Sequence, residues 1–181
     1  MKVIIGAGKT AYSGWVTTQE DELNLLNASD FERFFSGELA DAMLAEHVWE
    51  HLTPEEGLIA AKNCFAFLKP GGYIRCAVPD AFFRNERYQS LARVGGPGPK
   101  DHPAHTHKTL YSYKTFREAF ERAGFVVELL EYCDEDGRFH YQYWNDADGH
   151  IGRSYRFDTR NSGDTIGSVS IIIDAKKPLI I

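Results

Sequence analysis

The stretch ADAMLAEHVWEHLTPEEGLIAAKNCFAFLKPGGYIRCAVPD, residues 40–80, decides the fold. Its segment 41–46 is apolar enough for a buried strand and ends on an acid. Thr-Pro-Glu-Glu at 53–56 predicts a helix start, because it supplies an N-cap threonine, a proline at the first helical position and a glutamate three residues after the cap. Lys-Pro-Gly-Gly at 69–72 ends that helix, and 73–78 predicts a second strand. Strand, helix and strand with short links predict a βαβ unit, and therefore a parallel sheet.

This middle segment resembles the class I S-adenosylmethionine-dependent methyltransferases. The shared features are the acid–histidine pair Glu46-His47 at the end of a strand, the helix, the LKPGG sequence and a strand that ends at Pro79-Asp80. The resemblance is closest to a compact, mostly uncharacterised branch of predicted methyltransferases. It implies an α/β fold with a Rossmann-like, doubly wound, mostly parallel sheet of about seven strands, the last one antiparallel. It also implies S-adenosylmethionine as the cofactor and transfer of its methyl group to an unidentified, small-molecule substrate.

Length and composition fit one methyltransferase-like domain over residues 1–181. The net charge of −6 argues against strong, general nucleic-acid binding. Cys64, Cys76 and Cys133 are widely spaced and form no C-x-x-C pair, which favours neither a disulfide framework nor a cysteine zinc site. We therefore expect a reducing, cytoplasmic setting. No apolar run reaches the length of a transmembrane segment, so no membrane partner is expected.

Two glycines follow the opening strand, residues 2–5, at once. Gly6 and Gly8 have no side chain, which permits unusual backbone angles and close approach of a ligand. In the family, glycines at this turn contact the methionine part of the cofactor, and the resemblance transfers that role to Gly6 and Gly8. The link to Gly14 is too short for the helix that the family usually places between its first two strands. This departure keeps an alternative open, a catalytically degenerate methyltransferase-fold protein that binds but does not turn over.

The resemblance implies further cofactor contacts after the second and third strands. Residues 15–18 predict strand two, after which the family usually carries an acid that binds the ribose hydroxyls. Gln19 takes that position here, so the ribose would be held by an uncharged group. Residues 22–26 are expected to form strand three, with adenine contacts near Asn27. The predicted cofactor-binding residues are Gly6, Gly8, Thr18, Gln19, Asn24, Asn27, Glu46 and His47.

The sequence from His47 to His51 contains H-x-x-E-H, the zinc signature of one metalloprotease group. On a helix, His47 and His51 would share a face and Glu50 could act as a general base. The motif instead lies in a short turn before Thr53-Pro54, and no later helix offers an obvious third ligand. A zinc hydrolase is therefore the weaker alternative, and no metal site is expected.

No residue stands out as the catalytic base. Asp80 closes a strand on the side where doubly wound sheets bind ligands. The long connection 81–111 has weak periodicity, and its Gly/Pro-rich part at 95–99 predicts a loop. Such a loop is usually functional or mobile, and a substrate lid, a proton acceptor and an adventitious metal site all remain open. The candidates for the base are Asp80, His102, His105, His107 and Tyr111.

The last third of the chain predicts a helix from Ser112 to Gly124, a strand, and an aromatic-rich insertion at about 134–162. Within the insertion, 139–144 and 154–157 predict the two strands of a hairpin. Its arginines and aromatic rings could bind an anionic or planar substrate, cover a sheet edge, or form the surface of a homodimer. Residues 167–174 are apolar on both faces, so we expect a last strand that is central or well covered.

Overall fold

Seven strands form one sheet in the computed structural model, which describes residues 1–180. The order across the sheet is β2-β1-β3-β4-β7-β5-β6, with strands β1 (Lys2–Ile4), β2 (Val16–Thr17), β3 (Ala40–Glu46), β4 (Leu68–Val78), β5 (Val126–Cys133), β6 (Phe139–Tyr141) and β7 (Ile171–Lys176). Strands β1 to β5 run in one direction, and β6 and β7 run in the other. The predicted Rossmann-like, mostly parallel sheet with an antiparallel last strand is confirmed.

In the described part of the chain, four helices connect the strands: α1 (Ala28–Phe35), α2 (Pro54–Phe67), α3 (Glu86–Ala92) and α4 (Tyr113–Glu121). Helix α2 begins as its sequence predicts, because the Thr53 hydroxyl accepts from the backbone of Glu56 while the Glu56 carboxylate accepts from the backbone of Thr53. Helix α3 lies inside the connection that the sequence presents as irregular, and Asn85 caps it. Short 3₁₀ turns occupy Trp49–His51, Pro103–Thr106 and Asp146–Asp148. Within residues 1–180, none of the helices is both long and apolar enough to cross a membrane.

The predicted third strand at 22–26 is wrong, because this segment is a turn. Local polar groups satisfy its backbone: the Asn24 N–H donates to the Asp30 carboxylate and the Leu26 N–H donates to the Asn24 side chain. Leu23 and Leu25 are buried, which produced the alternation that imitates a strand.

The predicted hairpin between 139–144 and 154–157 is also wrong. Phe139–Tyr141 pairs with β5, not with the later segment, and His140 lies opposite Tyr132. Residues 154–157 form a turn in which the Tyr155 N–H donates to the buried carboxylate of Glu131. A buried acid on β5 thus takes the donor that a hairpin partner would have used.

The two faces of the sheet are covered by different kinds of structure. Helices α1, α2 and α4 bury apolar side chains such as Phe31, Cys64 and Phe116 against one face. On the other face, the insertion contributes Trp144 and Ile151, which pack with residues of β1, β3 and β7. Tyr12 and Trp15, from the short link between β1 and β2, pack beside them. The insertion therefore fills the space that a first crossover helix would otherwise cover.

Candidate active site

The carboxyl ends of β1 and β3 bring Gly6 and Glu46 to the same edge of the sheet. These strands are parallel neighbours, and the Ile5 N–H donates to the Leu44 carbonyl at 2.8 Å. Gly6 has φ +59°, and a Cβ at this position would lie 3.0 Å from Cγ2 of Val48. The turn after β1 therefore favours a residue without a side chain.

A first cavity opens beside this turn, and we call it the glycine cavity. Its volume is about 570 Å³. Gly6 and Asn24 line it together with Glu20, Val48 and Lys108. It lies at the carboxyl edge of parallel strands, the place where open α/β sheets bind ligands.

A second cavity, the arginine cavity, has a volume of about 730 Å³. Three arginines line it, Arg87 from α3 and Arg153 and Arg160 from the insertion, and Glu50 is its one acidic lining residue among residues 1–180. Arg160 is paired with Asp158 through two hydrogen bonds of 2.9 and 2.7 Å. The remaining positive charge makes this cavity suited to an anion.

The turn from His47 to His51 forms the wall between the two cavities, because both histidines line both of them. His47 has φ +56°, and its Nε2 lies 2.8 Å from the Ser170 hydroxyl. Its Nδ1 lies 3.3 Å from Oε1 of Glu50, a side chain that is 1% exposed. Burial acts to raise the pKa of Glu50, but His47, with its charge and hydrogen bond, and His51 outweigh burial and lower that pKa. Glu50 is therefore a buried carboxylate between two imidazoles.

The residues of H-x-x-E-H do not share a helix, so the geometry of the metalloprotease motif is absent. Only Trp49–His51 is helical, as a single 3₁₀ turn. The zinc hydrolase alternative required His47 and His51 on one α-helical face with Glu50 free to act on a bound water. Here His47 uses Nε2 on Ser170 and faces Glu50 with Nδ1.

Of the eight predicted cofactor residues, Gly6, Asn24 and His47 line the glycine cavity. Gly8 and Gln19 are paired with each other, since the Gly8 N–H donates to the Gln19 side chain and the Gln19 amide donates to the Gly8 carbonyl. This pair holds the glycine turn in place from the side of β2.

The other predicted cofactor residues support the site from outside the cavity. Thr18 is fully buried and donates to the Ile4 carbonyl. Asn27 caps α1. Glu46 accepts the backbone N–H of Arg153 at 2.8 Å and so connects β3 to the insertion.

Among the predicted bases, only His102 and His107 line the arginine cavity. The His102 ring accepts from the Ala104 N–H, and burial lowers the pKa of His107, which keeps its imidazole neutral. Asp80 is fully buried, and its two oxygens accept the N–H groups of Phe82 and Cys133. Tyr111 is buried in the core, and burial raises its pKa to about 12.

Sequence reasoning missed the site residues that come from far along the chain. Ser168, from the segment just before β7, lines the arginine cavity, and Tyr88 lines it from α3. Ser170, from the same segment as Ser168, places its hydroxyl 2.8 Å from Nε2 of His47 in the shared wall. The concentration of arginines in the insertion was a visible signal. The position of these arginines opposite β3 was not visible in the sequence, because it depends on which face of the sheet the insertion covers.

A family model described as a methyltransferase domain matches residues 11–130, more than half of the chain. The chain belongs to the methyltransferase family. The predicted class I S-adenosylmethionine-dependent methyltransferase is thereby confirmed at the level of the family, and no curated protein matches the sequence.

Solved structures agree in fold with this methyltransferase. An S-adenosylmethionine-dependent methyltransferase from Archaeoglobus fulgidus is 18% identical with a TM-score of 0.54, over 97% of this chain and 85% of that one. One from Methanosarcina mazei is 13% identical with a TM-score of 0.52, over 99% and 92%. An O-methyltransferase family protein from Burkholderia thailandensis is longer: at 13% identity and a TM-score of 0.47, the match covers 91% of this chain but 36% of that one.

Proposed function

We propose that this methyltransferase transfers the methyl group of S-adenosylmethionine to a small anionic acceptor. The observation that carries the proposal is the pair of cavities that share His47 and His51 as a wall. The cofactor would occupy the glycine cavity and the acceptor the arginine cavity. Methyl transfer is a direct displacement, so the methyl group and the acceptor atom must come into contact in line, beside that wall, where the two cavities meet.

The glycine cavity fits a nucleoside cofactor on two grounds. Gly6 leaves open the backbone approach that a side chain would close, since a Cβ there would already crowd Val48. Glu20 and Asn24 supply a carboxylate and an amide for ribose hydroxyls, in place of Gln19, which is engaged with Gly8. When bound, S-adenosylmethionine supplies a methyl group already activated on a sulfonium. The protein then has to position the acceptor and receive its proton.

The arginine cavity would hold the acceptor by its charge. Arg87 is exposed and has no ion-pair partner among residues 1–180, so its guanidinium is available for a carboxylate or phosphate. Arg153 is only loosely paired, with Nε 4.0 Å from Glu46. His107 is a neutral imidazole in the same cavity, and it stays a predicted base. Its one free nitrogen can either accept a hydrogen bond from the acceptor or bind a metal ion, but it cannot do both at once.

Calorimetry with S-adenosylmethionine and its demethylated product tests the cofactor half of the proposal. We expect both to bind, and absence of binding to either would overturn it. Methyl transfer from radiolabelled cofactor to a panel of small carboxylates and phosphates, with neutral analogues as controls, tests the acceptor half. Binding of neither the cofactor nor its product would favour the catalytically degenerate alternative, whereas cofactor binding without transfer to any acid would overturn the acceptor half.

A matched pair of variants tests the role of positive charge. Arg87→Ala should raise KM for the acceptor found in that panel by about ten- to a hundredfold while leaving cofactor affinity unchanged, because a charge-assisted hydrogen bond contributes about 1.5–3 kcal/mol. Arg138→Ala removes an exposed arginine outside both cavities and should change neither the KM for the acceptor nor the cofactor affinity.

The homodimer and the cytoplasmic location stay predictions. Light scattering on the purified chain tests whether it forms a homodimer.

A further inference from the structure

Glu50, His51 and His107 converge in the wall of the arginine cavity, although His107 is far from the other two in the sequence. One ligand atom from each lies within 4.8 Å of the other two. We propose that these three side chains bind one divalent transition-metal ion. Two imidazoles and one carboxylate form a donor set suited to zinc and its neighbours in the first transition row.

The hydrogen bonds of the two imidazoles leave the correct nitrogen of each available. Nδ1 of His107 lies 3.1 Å from the Ala92 carbonyl, which can only accept, so Nδ1 carries the proton and Nε2 keeps its lone pair. Nδ1 of His51 lies 2.8 Å from the Thr106 hydroxyl, and that hydroxyl donates its own hydrogen to the Pro103 carbonyl. His51 must therefore also donate from Nδ1 and present Nε2. Metal-binding histidines are commonly oriented by such a bond from the other nitrogen.

One carboxylate oxygen of Glu50 accepts no hydrogen bond from residues 1–180. Glu50 is 1% exposed, and its Oε2 has no hydrogen-bond partner among residues 1–180. A buried carboxylate oxygen without a partner is costly, because its desolvation is not compensated. Its other oxygen, Oε1, lies 4.0 Å from Nε2 of His51, on the side where that lone pair is free. A cation between these groups would compensate the buried charge.

The backbone holds the two ligand-bearing segments together before any ion binds. The Glu50 carbonyl accepts the N–H groups of Lys108 and Thr109 at 2.7 and 3.2 Å. The Thr109 hydroxyl donates to the Leu52 carbonyl at 2.8 Å. The rings of His51 and His107 lie with their centroids 5.0 Å apart at 71°. Ligands fixed in this way lose little freedom on binding.

The arrangement also leaves coordination positions open toward the cavity. Zn²⁺ binds nitrogen and oxygen at about 2.0–2.2 Å, so three tetrahedral ligand atoms would be about 3.3 Å apart. The ligand atoms of the present cluster, which lie within 4.8 Å of one another, must approach by up to about 1.5 Å to reach that spacing. Three protein ligands and one open position are typical of catalytic metal sites, whereas structural sites use four. The open position would face the cavity that carries Arg87 and Arg153.

This site differs from the one that the H-x-x-E-H motif suggests. That motif uses its two histidines as ligands and its glutamate as a base, whereas the proposed site uses Glu50 itself as a ligand. His47 is excluded because Ser170 holds its Nε2. The third ligand, His107, comes from the long connection after β4, for which a metal site was one of three possibilities that the sequence leaves open.

Titration of the chelator-treated, untagged protein with Zn²⁺, in the absence of cofactor and acceptor, tests the proposal. We expect one ion per chain by calorimetry. Bound Co²⁺ should show the visible absorption that is typical of a four-coordinate site. His107→Gln keeps an amide that can donate to the Ala92 carbonyl, and Glu50→Gln keeps the shape of the carboxylate. Each should weaken Zn²⁺ binding by at least tenfold.

His140→Gln is the matched control. His140 pairs with the Asp134 carboxylate at 2.7 Å on the exposed strand β6, outside both cavities. It should leave Zn²⁺ binding unchanged. Absence of stoichiometric binding, or equal binding by wild type and His107→Gln, would overturn the proposal.

Nitrogen NMR of the wild-type imidazoles keeps the test decisive if a variant does not fold. Zn²⁺ must shift Nε2 of two histidines, and a titration that shifts neither would equally reject the site. Because the metal is tested alone, its failure would leave the proposed methyl transfer standing, and failure to bind S-adenosylmethionine would leave the metal site standing.

Discussion

Arg75 and Asp174 form a buried, two-armed ion pair between the centre of the sheet and its last strand. Nε and one terminal nitrogen of Arg75 donate to the two carboxylate oxygens at 2.7 and 2.9 Å, and the arginine side chain is 2% exposed. The other terminal nitrogen donates to the carbonyls of Asn145 and Gly149 at 2.8 Å. One guanidinium therefore connects β4, β7 and the insertion.

Arg75→Met should lower the free energy of unfolding by about 3–5 kcal/mol, because it leaves Asp174 buried without its partner. The exposed pair between Lys69 and Asp41, at 2.7 Å, is the control. Lys69→Met should change the stability by less than about 1 kcal/mol. Urea denaturation followed by circular dichroism measures both, and similar losses in the two variants would contradict the role given to Arg75.

Ile151→Ala should lower the free energy of unfolding by about 2–5 kcal/mol, although Ile151 lies in a segment without regular structure. Its side chain is fully buried against the sheet, so truncation leaves a cavity. Ile59, on α2, is 47% exposed, and Ile59→Ala should lower the free energy of unfolding by about 1 kcal/mol or less. If Ile151→Ala were as mild as Ile59→Ala, the insertion would be an appendage and not part of the core.

Gly6→Ala should weaken binding of S-adenosylmethionine by about tenfold and also lower stability. The alanine would have φ +59°, which costs about 1–2 kcal/mol, and its Cβ would press on Val48 in the wall of the glycine cavity. Gly163 has φ +58°, and a Cβ there would meet no atom of residues 1–180 within 4 Å. Gly163→Ala therefore has the cost of the unfavourable backbone angle but no steric clash. Calorimetry should show unchanged cofactor affinity for Gly163→Ala. Unchanged affinity for Gly6→Ala would remove the glycine turn from the cofactor site.

Asp80 should make the protein less stable as pH rises from about 4 to about 6. Burial raises the pKa of Asp80 to about 6, from 3.8, although the N–H groups of Cys133 and Phe82 oppose the shift. Within that interval the folded chain holds a proton that the unfolded chain has lost, so its stabilisation is complete below pH 4 and is lost through pH 6. Two pKa units correspond to about 3 kcal/mol at most.

The difference between wild type and Asp80→Asn isolates this contribution, because asparagine does not titrate. Urea midpoints at several pH values should show the wild type losing stability relative to the variant between pH 4 and pH 6. A difference between wild type and Asp80→Asn that does not vary with pH would contradict the shifted pKa.

The βαβ centre of the fold could be predicted from sequence because its signals are local. The Thr53 cap and the proline after it act on residues a few positions away. The glycines at 71–72 were expected to end the helix, but α2 already ends at Phe67 and these glycines lie within β4. The strand pairing of the insertion could not be predicted, since the Tyr155 N–H goes to Glu131, 24 positions earlier. No local sequence pattern around Tyr155 or Glu131 indicates this contact.

The same difference separates the predicted from the missed parts of the site. Gly6 and His47 follow directly from strand ends, which the sequence marks. The closeness of His107 to Glu50 depends instead on backbone bonds from Lys108 and Thr109 across the fold. Residues 81–111 show weak periodicity because α3 is short and half-exposed. The sequence therefore indicated neither this helix nor the position of His107 in the site.

The central place of β7 bears on how the chain acquires its structure during synthesis. Strand β7 lies between β4 and β5, so until it emerges from the ribosome the earlier strands have no continuous ladder joining them. Two half-sheets with open hydrogen-bonding edges would then coexist on one nascent chain, a state prone to self-association. We expect the yield of active enzyme in cells to depend on how quickly translation delivers this strand, or on chaperones that shield those edges meanwhile.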